Sequence, residues 1–130
     1  SDLAIMFFGF PLVFIVSVGC LLAISKTNLG QRLLGISYAG LHVSLPGLFL
    51  TYFFGGVFGP FYCMILAIVP SGMLVEHLMG KTIDHPTNIF YRVNSAVAFG
   101  MCCAAWVCVL LLYVFTDFTF LAWASSPTKW

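Results

Sequence analysis

Residues 33–75 read LLGISYAGLHVSLPGLFLTYFFGGVFGPFYCMILAIVPSGMLV, which is 43 residues without one charged side chain. A helix needs about 20 apolar residues to cross the hydrocarbon of a bilayer, so this stretch is roughly twice as long as one span requires. Near its middle stands Gly55-Gly56-Val57-Phe58-Gly59-Pro60. Glycine adopts unusual dihedral angles and proline cannot donate the next helical hydrogen bond, so this segment favours a turn. The stretch therefore predicts two membrane helices, 33–54 and 61–79.

One alternative for the same stretch is a single tilted span followed by a re-entrant segment. Such a segment is tolerated only where protein or a water-filled cavity covers its backbone.

Two further uncharged windows flank this stretch. They cover residues 3–25 and 93–116, which are 23 and 24 residues, and each has the length of one span. The expected fold is an all-α integral membrane protein, a single polytopic domain over residues 1–130. Its four transmembrane helices are predicted at about 3–25, 33–54, 61–79 and 93–116. Trp123 and Trp130 follow the last helix and predict a short interfacial C-terminal segment, because tryptophan concentrates at headgroup depth.

The composition excludes several classes of protein. Hydrophobic residues make up 62% of the chain and charged residues only 7%, whereas soluble domains carry roughly 25% charged residues. Disorder is excluded because the apolar surface is too large to remain solvated. The sequence contains no phosphate-binding loop, zinc or EF-hand motif and no basic stripe for nucleic acid. We therefore expect no enzymatic activity of the chain by itself.

The five cysteines all fall inside predicted spans and form no C-x-x-C pair. This pattern favours free thiols that act as small apolar residues.

The basic residues are distributed unevenly along the chain. With four spans, the loops 26–32 and 80–92 share one side of the membrane and contain four of the five Lys and Arg residues. Both termini and the 55–60 turn lie on the other side. The positive-inside rule places the basic loops in the cytoplasm, or in the matrix of a mitochondrion.

Small residues recur at helical spacing. Ala96, Gly100 and Ala104 share one face of the fourth helix, and the second helix has similar notches at Gly35 with Ala39 and at Gly40 with Ser44. Small side chains allow membrane helices to approach closely, so these residues predict helix packing and partner subunits.

Glu76 and His77 are ionisable residues near the end of the third helix. An ionisable group inside a membrane is by default a functional candidate, but its cost depends on depth. We expect Glu76 to anchor the helix at the basic interface through an ion pair with Lys81 or Arg92 of its own chain, or with a basic residue of a partner. A proton or ion path through His42, Glu76 and His77 is the alternative.

His42 lies deeper in the predicted membrane region. It is the candidate ligand for a haem iron or a quinone, and a haem would need a second ligand from a partner chain because His77 lies nearer the surface. Alternatively, His42 is a neutral side chain bonded to Tyr38, to Ser44 or to a carbonyl.

Proline interrupts the second helix at Pro46-Gly47 and the third at Pro70-Ser71-Gly72. Each proline releases a carbonyl one turn earlier, which for Pro46 is the carbonyl of His42. These groups need a neighbouring donor or water. At the start of the fourth helix, Asn94 or Ser95 is the expected cap.

The favoured function is that of an accessory subunit of a larger membrane complex, and the expected host is a respiratory-chain or ATP synthase complex of the mitochondrial inner membrane. The motivation is small size, short loops, packing faces and few intramembrane ionisable groups. Phospholipid is the expected bound ligand, and no cofactor is predicted. The organelle depends on the start at Ser1 without Met, which suggests a removed segment, and on the absence of Asn-x-Ser/Thr.

Two other functions remain open on the sequence. The first is a small homo-oligomeric transporter or channel with a water-filled path lined by His42, Ser44, Ser71 and Glu76. The second is a membrane anchor that shares a haem or quinone site with a partner.

Overall fold

A computed structural model of the chain describes the backbone of residues 4–54, 58–79 and 88–115, and side-chain surroundings for 4–50, 63–79 and 88–115. Within these ranges the chain is almost entirely helical and contains no strand. A π-helical turn, Ile5–Gly9, leads into α1. The four α-helices are α1 (Phe10–Ala23), α2 (Asn28–Phe54), α3 (Phe58–Met79) and α4 (Ile89–Phe115). The prediction of an all-α chain is confirmed.

Three segments of the described chain are long and apolar enough to cross a membrane. They are Ile5–Ala23, Asn28–Leu50 and Ile89–Phe115. The corresponding part of α3, Cys63–Met79, is apolar but shorter. The predicted interfacial segment after the fourth helix lies outside the described residues, as do residues 55–57 and most of the loop 80–92.

The helix α2 begins at Asn28, five residues earlier than predicted. Thr27 caps it: its hydroxyl oxygen accepts a hydrogen bond from the Gly30 N–H at 3.0 Å, and its carbonyl accepts one from the Gln31 N–H at 2.9 Å. Arg32 therefore lies on a helix and not in a loop. The predicted boundary was wrong because a charged side chain marks the edge of the hydrocarbon without ending the helix.

The helix α4 also begins earlier than predicted, at Ile89. Asn88 is its cap, since the Tyr91 N–H donates to the Asn88 side-chain oxygen at 2.7 Å. The expectation that Asn94 or Ser95 caps this helix was wrong. Both lie inside the helix, and Ser95 is fully buried.

Pro60 lies in the first turn of α3, because this helix begins at Phe58 and not at residue 61. A proline in the first turn removes no intrahelical hydrogen bond, since its N–H would have no helical acceptor there. The helix α3 therefore begins inside the Gly/Pro segment that suggested the turn.

The helices form two antiparallel pairs, α1 with α4 and α2 with α3. In the first pair Gly9 lies near Cys108 and Gly100 lies near Val18, so the two helices run in opposite directions. The helix α4 also contacts α2 and α3 and joins the two pairs, whereas α1 barely touches α2.

The buried apolar cluster lies at the end where α1 stops and α2 and α4 begin. It contains Leu21, Leu34, Tyr91 and Ala96. We call this end of the bundle the basic end, because Lys26, Arg32 and Arg92 lie on it. Within α1 only Leu21 is buried, and Leu12, Ile15 and Val16 form an exposed apolar face of this helix.

Candidate functional site

Two glycines set the distance between α2 and α3. A Cβ atom placed on Gly40 would overlap the carbonyl of Ile68, and one placed on Gly72 would overlap the carbonyl of Ile36. Any larger side chain would push the two backbones apart, because a backbone carbonyl cannot rotate away. From the sequence, Gly72 was expected to interrupt the helix. Its packing role could not be predicted, because it depends on the register of α2 against α3.

The small-residue face of α4 lies inside the bundle. Ala96 and Ala104 are fully buried, and Gly100 is buried between them. A Cβ atom on Gly100 would overlap the Val18 side chain and lie 3.2 Å from the Phe14 ring. The helix α1 therefore crosses α4 at Gly100.

The notch on α2 is placed differently. Gly35 is buried and Ala39 is half-buried. The close approach of α3 occurs at Ile36 and at Gly40, the first residue of the second predicted notch.

Glu76 is held at the basic end by Arg32. The Arg32 Nη2 atom lies 2.9 Å from Glu76 Oε1, and the carboxylate side chain is 11% exposed against 59% for the guanidinium. The predicted partner Arg92 is therefore wrong, and Lys81 lies outside the described residues. The pair links the first turns of α2 to the end of α3. Predicting it from the sequence would require knowing which helices are neighbours.

Arg92 makes a different tie at the same end. Its Nη2 donates to the Ser25 hydroxyl oxygen, and that hydroxyl donates to the Leu22 carbonyl at 2.8 Å. This contact joins the end of α1 to the start of α4. His77 lies beside Glu76 in the last turn of α3 and is exposed.

A row of three rings leads from the interior to the surface of the bundle. Tyr91 is buried, Tyr38 half-buried and His42 exposed. The ring centroids of Tyr38 and Tyr91 are 4.5 Å apart, and those of Tyr38 and His42 are 4.3 Å apart at 86°, an edge contact. His42 therefore contacts the ring of Tyr38, and its imidazole is exposed; the predicted hydrogen bond to Tyr38 is not among the bonds of the described residues.

His42 and His77 do not form a common site. Arg32 pairs with Glu76, so His77 lies level with the first turns of α2. His42 is ten residues farther along α2, which is roughly 15 Å at 1.5 Å rise per residue. A haem at His42 would need its second ligand from another chain.

Trp106 satisfies a carbonyl that Pro70 releases. Proline lacks an N–H, so the Leu66 carbonyl, four residues earlier, loses its helical donor. The Trp106 Nε1–H donates to that carbonyl at 3.2 Å. The sequence indicated the need for a donor, but the identity of the donor depends on how α3 lies against α4.

A cavity of about 50 Å³ lies between α2, α3 and α4 beside Ser44, Met64 and Met101. Its lining is otherwise apolar. The hydroxyls of Ser37 and Ser44 are buried and, among the described residues, have no hydrogen-bond partner. The alternative bond between His42 and Ser44 is therefore not formed.

The four residues of the expected transport path do not meet at this cavity. Ser44 borders it, whereas His42, Ser71 and Glu76 do not. His42 is exposed and Glu76 is paired with Arg32. The described part of the chain therefore does not join these residues into one polar path.

The five cysteines lie in the described helices as free thiols. Cys102 and Cys108 are buried, while Cys20 and Cys63 are exposed. Within the ranges that the structure describes, no three His, Cys, Asp or Glu side chains come together as a metal site.

Comparison with protein-family models, with characterised proteins and with solved structures found no significant match to this chain.

Proposed function

We propose that this chain is an accessory, structural subunit of a larger membrane assembly. One observation carries the proposal: the polar groups that contact other helices serve as ties between them. Arg32 with Glu76 joins α2 to α3, Arg92 with Ser25 joins α4 to α1, and Trp106 joins α4 to α3. Side chains that form such ion pairs and hydrogen bonds between helices are suited to a structural role.

We include in the proposal that all four helices cross the bilayer. The backbone helix α3 has 22 residues, which gives about 33 Å at 1.5 Å per residue and matches a hydrocarbon core of about 30 Å. The helix α3 packs against α2 from Glu76 to Met64, which supports the proposal that α3 crosses the bilayer alongside α2. The ends of α1 and α3 and the starts of α2 and α4 then lie on one side, where most Lys and Arg residues of the chain also lie.

The proposed location is the mitochondrial inner membrane, with the basic end in the matrix, and the proposed host is a respiratory-chain or ATP synthase complex. The positive-inside rule and the uneven distribution of Lys and Arg support the orientation. Small subunits with short loops suit a role in which the chain supplies helices, not catalysis. We propose no enzymatic activity of the chain by itself.

Bound phospholipid is part of the same proposal. Large apolar side chains stand exposed at both ends of the bundle, among them Phe7, Phe8, Ile89 and Phe115, each at least 71% exposed. Acyl chains or partner helices must cover these surfaces, because contiguous apolar patches of this kind are not left in water.

Native gel separation after gentle solubilisation tests the proposal. We expect the chain to migrate with a large assembly and to co-purify with its subunits through a tag on either terminus. Harsher detergent on the same sample is the control, because it should release the chain. Migration as a free monomer under the gentlest conditions would contradict the proposal.

A further inference from the structure

The basic end of the bundle has more positive than negative charge. The segments 26–32 and 76–92 contain four Lys and Arg side chains but only two carboxylates, those of Glu76 and Asp84. Glu76 is the only carboxylate among the described residues, and it pairs with Arg32. Lys26 and Arg92 therefore have no carboxylate partner in the described part of the chain.

These two cations are neighbours in space. The Arg92 Nη2 atom donates to the Ser25 hydroxyl oxygen. Lys26 is the next residue of the chain, with its Cα about 3.8 Å from that of Ser25. Lys26 is exposed and Arg92 is half-buried, so both can be reached from outside the bundle. Two adjacent positive charges repel each other, and an anion bound to both of them removes that repulsion.

The guanidinium of Arg92 is held in place by Ser25. The Ser25 hydroxyl donates to the Leu22 carbonyl at 2.8 Å, so its oxygen has a fixed position from which to accept the Arg92 bond. A guanidinium has five N–H donors, and the bond to Ser25 uses one of them. The remaining donors form a planar fork that matches the oxygens of a phosphate, and the flexible stem of Lys26 lets its ammonium group contact the same anion.

Large apolar side chains lie exposed beside the two cations, namely Ile24, Ile89 and Phe90. They lie at the depth where the apolar segment Ile5–Ala23 ends and the apolar segment Ile89–Phe115 begins. A free phosphate ion would bind the cations but leave these side chains uncovered. A phospholipid brings a phosphate and acyl chains to the same place, so it matches both the charge and the apolar surface.

We propose that Lys26 and Arg92 together bind the phosphate of one anionic phospholipid, whose acyl chains cover Ile89 and Phe90. The proposal rests on the proposed function, in which the basic end lies at one surface of the bilayer, and it identifies the headgroup class of the bound lipid. A zwitterionic headgroup would add its own ammonium group where cations already exceed carboxylates. An anionic headgroup such as phosphatidylglycerol adds no cation, and each nearby Lys or Arg strengthens its attraction.

The test uses the full chain, reconstituted into vesicles of phosphatidylglycerol and phosphatidylcholine in equal amounts and then extracted with a mild detergent. Native mass spectrometry measures how much of each lipid the chain retains. Lys26→Gln removes one cation of the site, at an exposed side chain that forms no ion pair among the described residues. Arg32→Gln is the matched control, because it removes the same charge from the same end at a residue that already pairs with Glu76.

We expect the wild-type chain to retain phosphatidylglycerol in preference to phosphatidylcholine. Lys26→Gln should lower this preference on the order of fivefold, the usual contribution of one cation near an anionic lipid surface. Arg32→Gln should leave the preference nearly unchanged. Equal retention of the two lipids by the wild type, or an unchanged preference in Lys26→Gln, would overturn the inference. An equal loss in both variants would also overturn it, because that result indicates diffuse attraction to the surface and not a site.

Excess inorganic phosphate during extraction distinguishes the two sources of a phosphate group. We expect phosphatidylglycerol to remain bound, because its acyl chains keep their contact with the apolar side chains. Its displacement by the free ion would overturn the lipid as occupant. None of these measurements needs a host assembly. A chain without lipid preference that migrates with a large complex overturns this inference alone, whereas migration as a monomer overturns the accessory role and leaves the lipid measurement valid.

Discussion

At the scale of single residues, Trp106 and Pro70 form a compensating pair. Pro70 removes the donor that the Leu66 carbonyl would have, and Trp106 supplies one from the neighbouring helix. Inside a membrane there is no bulk water to replace such a donor, so the indole contributes more than its apolar contact area.

Trp106→Phe should therefore destabilise the bundle by about 1–2 kcal/mol, because it leaves a carbonyl unsatisfied while keeping a ring in place. Pro70→Ala restores the backbone N–H, so the same Trp106→Phe change should have a much smaller effect in that background. Unfolding in detergent of the four variants measures the coupling. Equal losses in the two backgrounds would show that the indole N–H does not serve this carbonyl.

The pair of Arg32 and Glu76 is expected to contribute modestly. The Glu76 carboxylate is only 11% exposed, but the Arg32 guanidinium is 59% exposed, so solvent screens the pair and limits its contribution to about 1 kcal/mol. Glu76→Gln should lower stability by no more than this, and should leave activity of the host assembly nearly intact. A double cycle with Arg32→Gln checks the pair. Loss of proton- or ion-coupled activity in an intact assembly would instead favour transport through Glu76.

At the scale of helices, glycines determine which surfaces meet. Cβ atoms on Gly40 and Gly72 would overlap backbone carbonyls, one on Gly100 would overlap the Val18 side chain and lie 3.2 Å from the ring and carbonyl of Phe14, and Gly19 has no atom close to it. The same substitution at these positions should therefore have graded effects, since a side chain can shift and a backbone carbonyl cannot.

Gly40→Ala should separate α2 from α3 and destabilise the chain by about 1–3 kcal/mol, the usual range for overpacking. Gly19→Ala is the matched control. It adds the same methyl group to a helix without a contact, so it should be neutral or slightly stabilising. Thermal unfolding in detergent compares the two, and equal stabilities would show that the α2–α3 distance is larger than the structure has it.

Gly100→Leu should weaken the contact of α1 with α4 and reduce assembly, because association in lipid depends on packing. Gly19→Leu, on the open side of α1, provides the comparison. An assembled Gly100→Leu variant with unchanged thermal stability would mean that this face of α4 does not meet α1.

The sequence predicted the helices better than their contacts. The uncharged windows located four apolar helices, because the spacing of charges follows the hydrocarbon thickness. The helices that begin at Asn28 and Ile89 start earlier than predicted. A helix extends beyond the edge of the hydrocarbon to its capping residue, and the spacing of charges does not locate that residue. The partner of Glu76 and the donor to Leu66 were not predictable, because both depend on which helices become neighbours and in what register.

At the scale of the whole molecule, the basic side chains Lys26, Arg32 and Arg92 lie at one end of the bundle. The ties of Arg32 to Glu76 and of Arg92 to Ser25 hold the basic end together. We predict that residues 26–32 and 80–92 face one compartment and both termini the other. Single cysteines at Lys26, Thr82 and Ser125, probed with a membrane-impermeant maleimide in a background without native cysteines, check this arrangement. Labelling of Lys26→Cys and Thr82→Cys from opposite sides would contradict four crossings.

The central claim is that the chain is one part of a larger membrane assembly, and native gel separation of gently solubilised membranes tests it most directly. The chain alone has a mass of 14.3 kDa. The account predicts that it migrates with a complex many times that mass and that the complex dissociates in harsh detergent. A chain that migrates alone, or only with copies of itself, under the gentlest conditions would contradict the account.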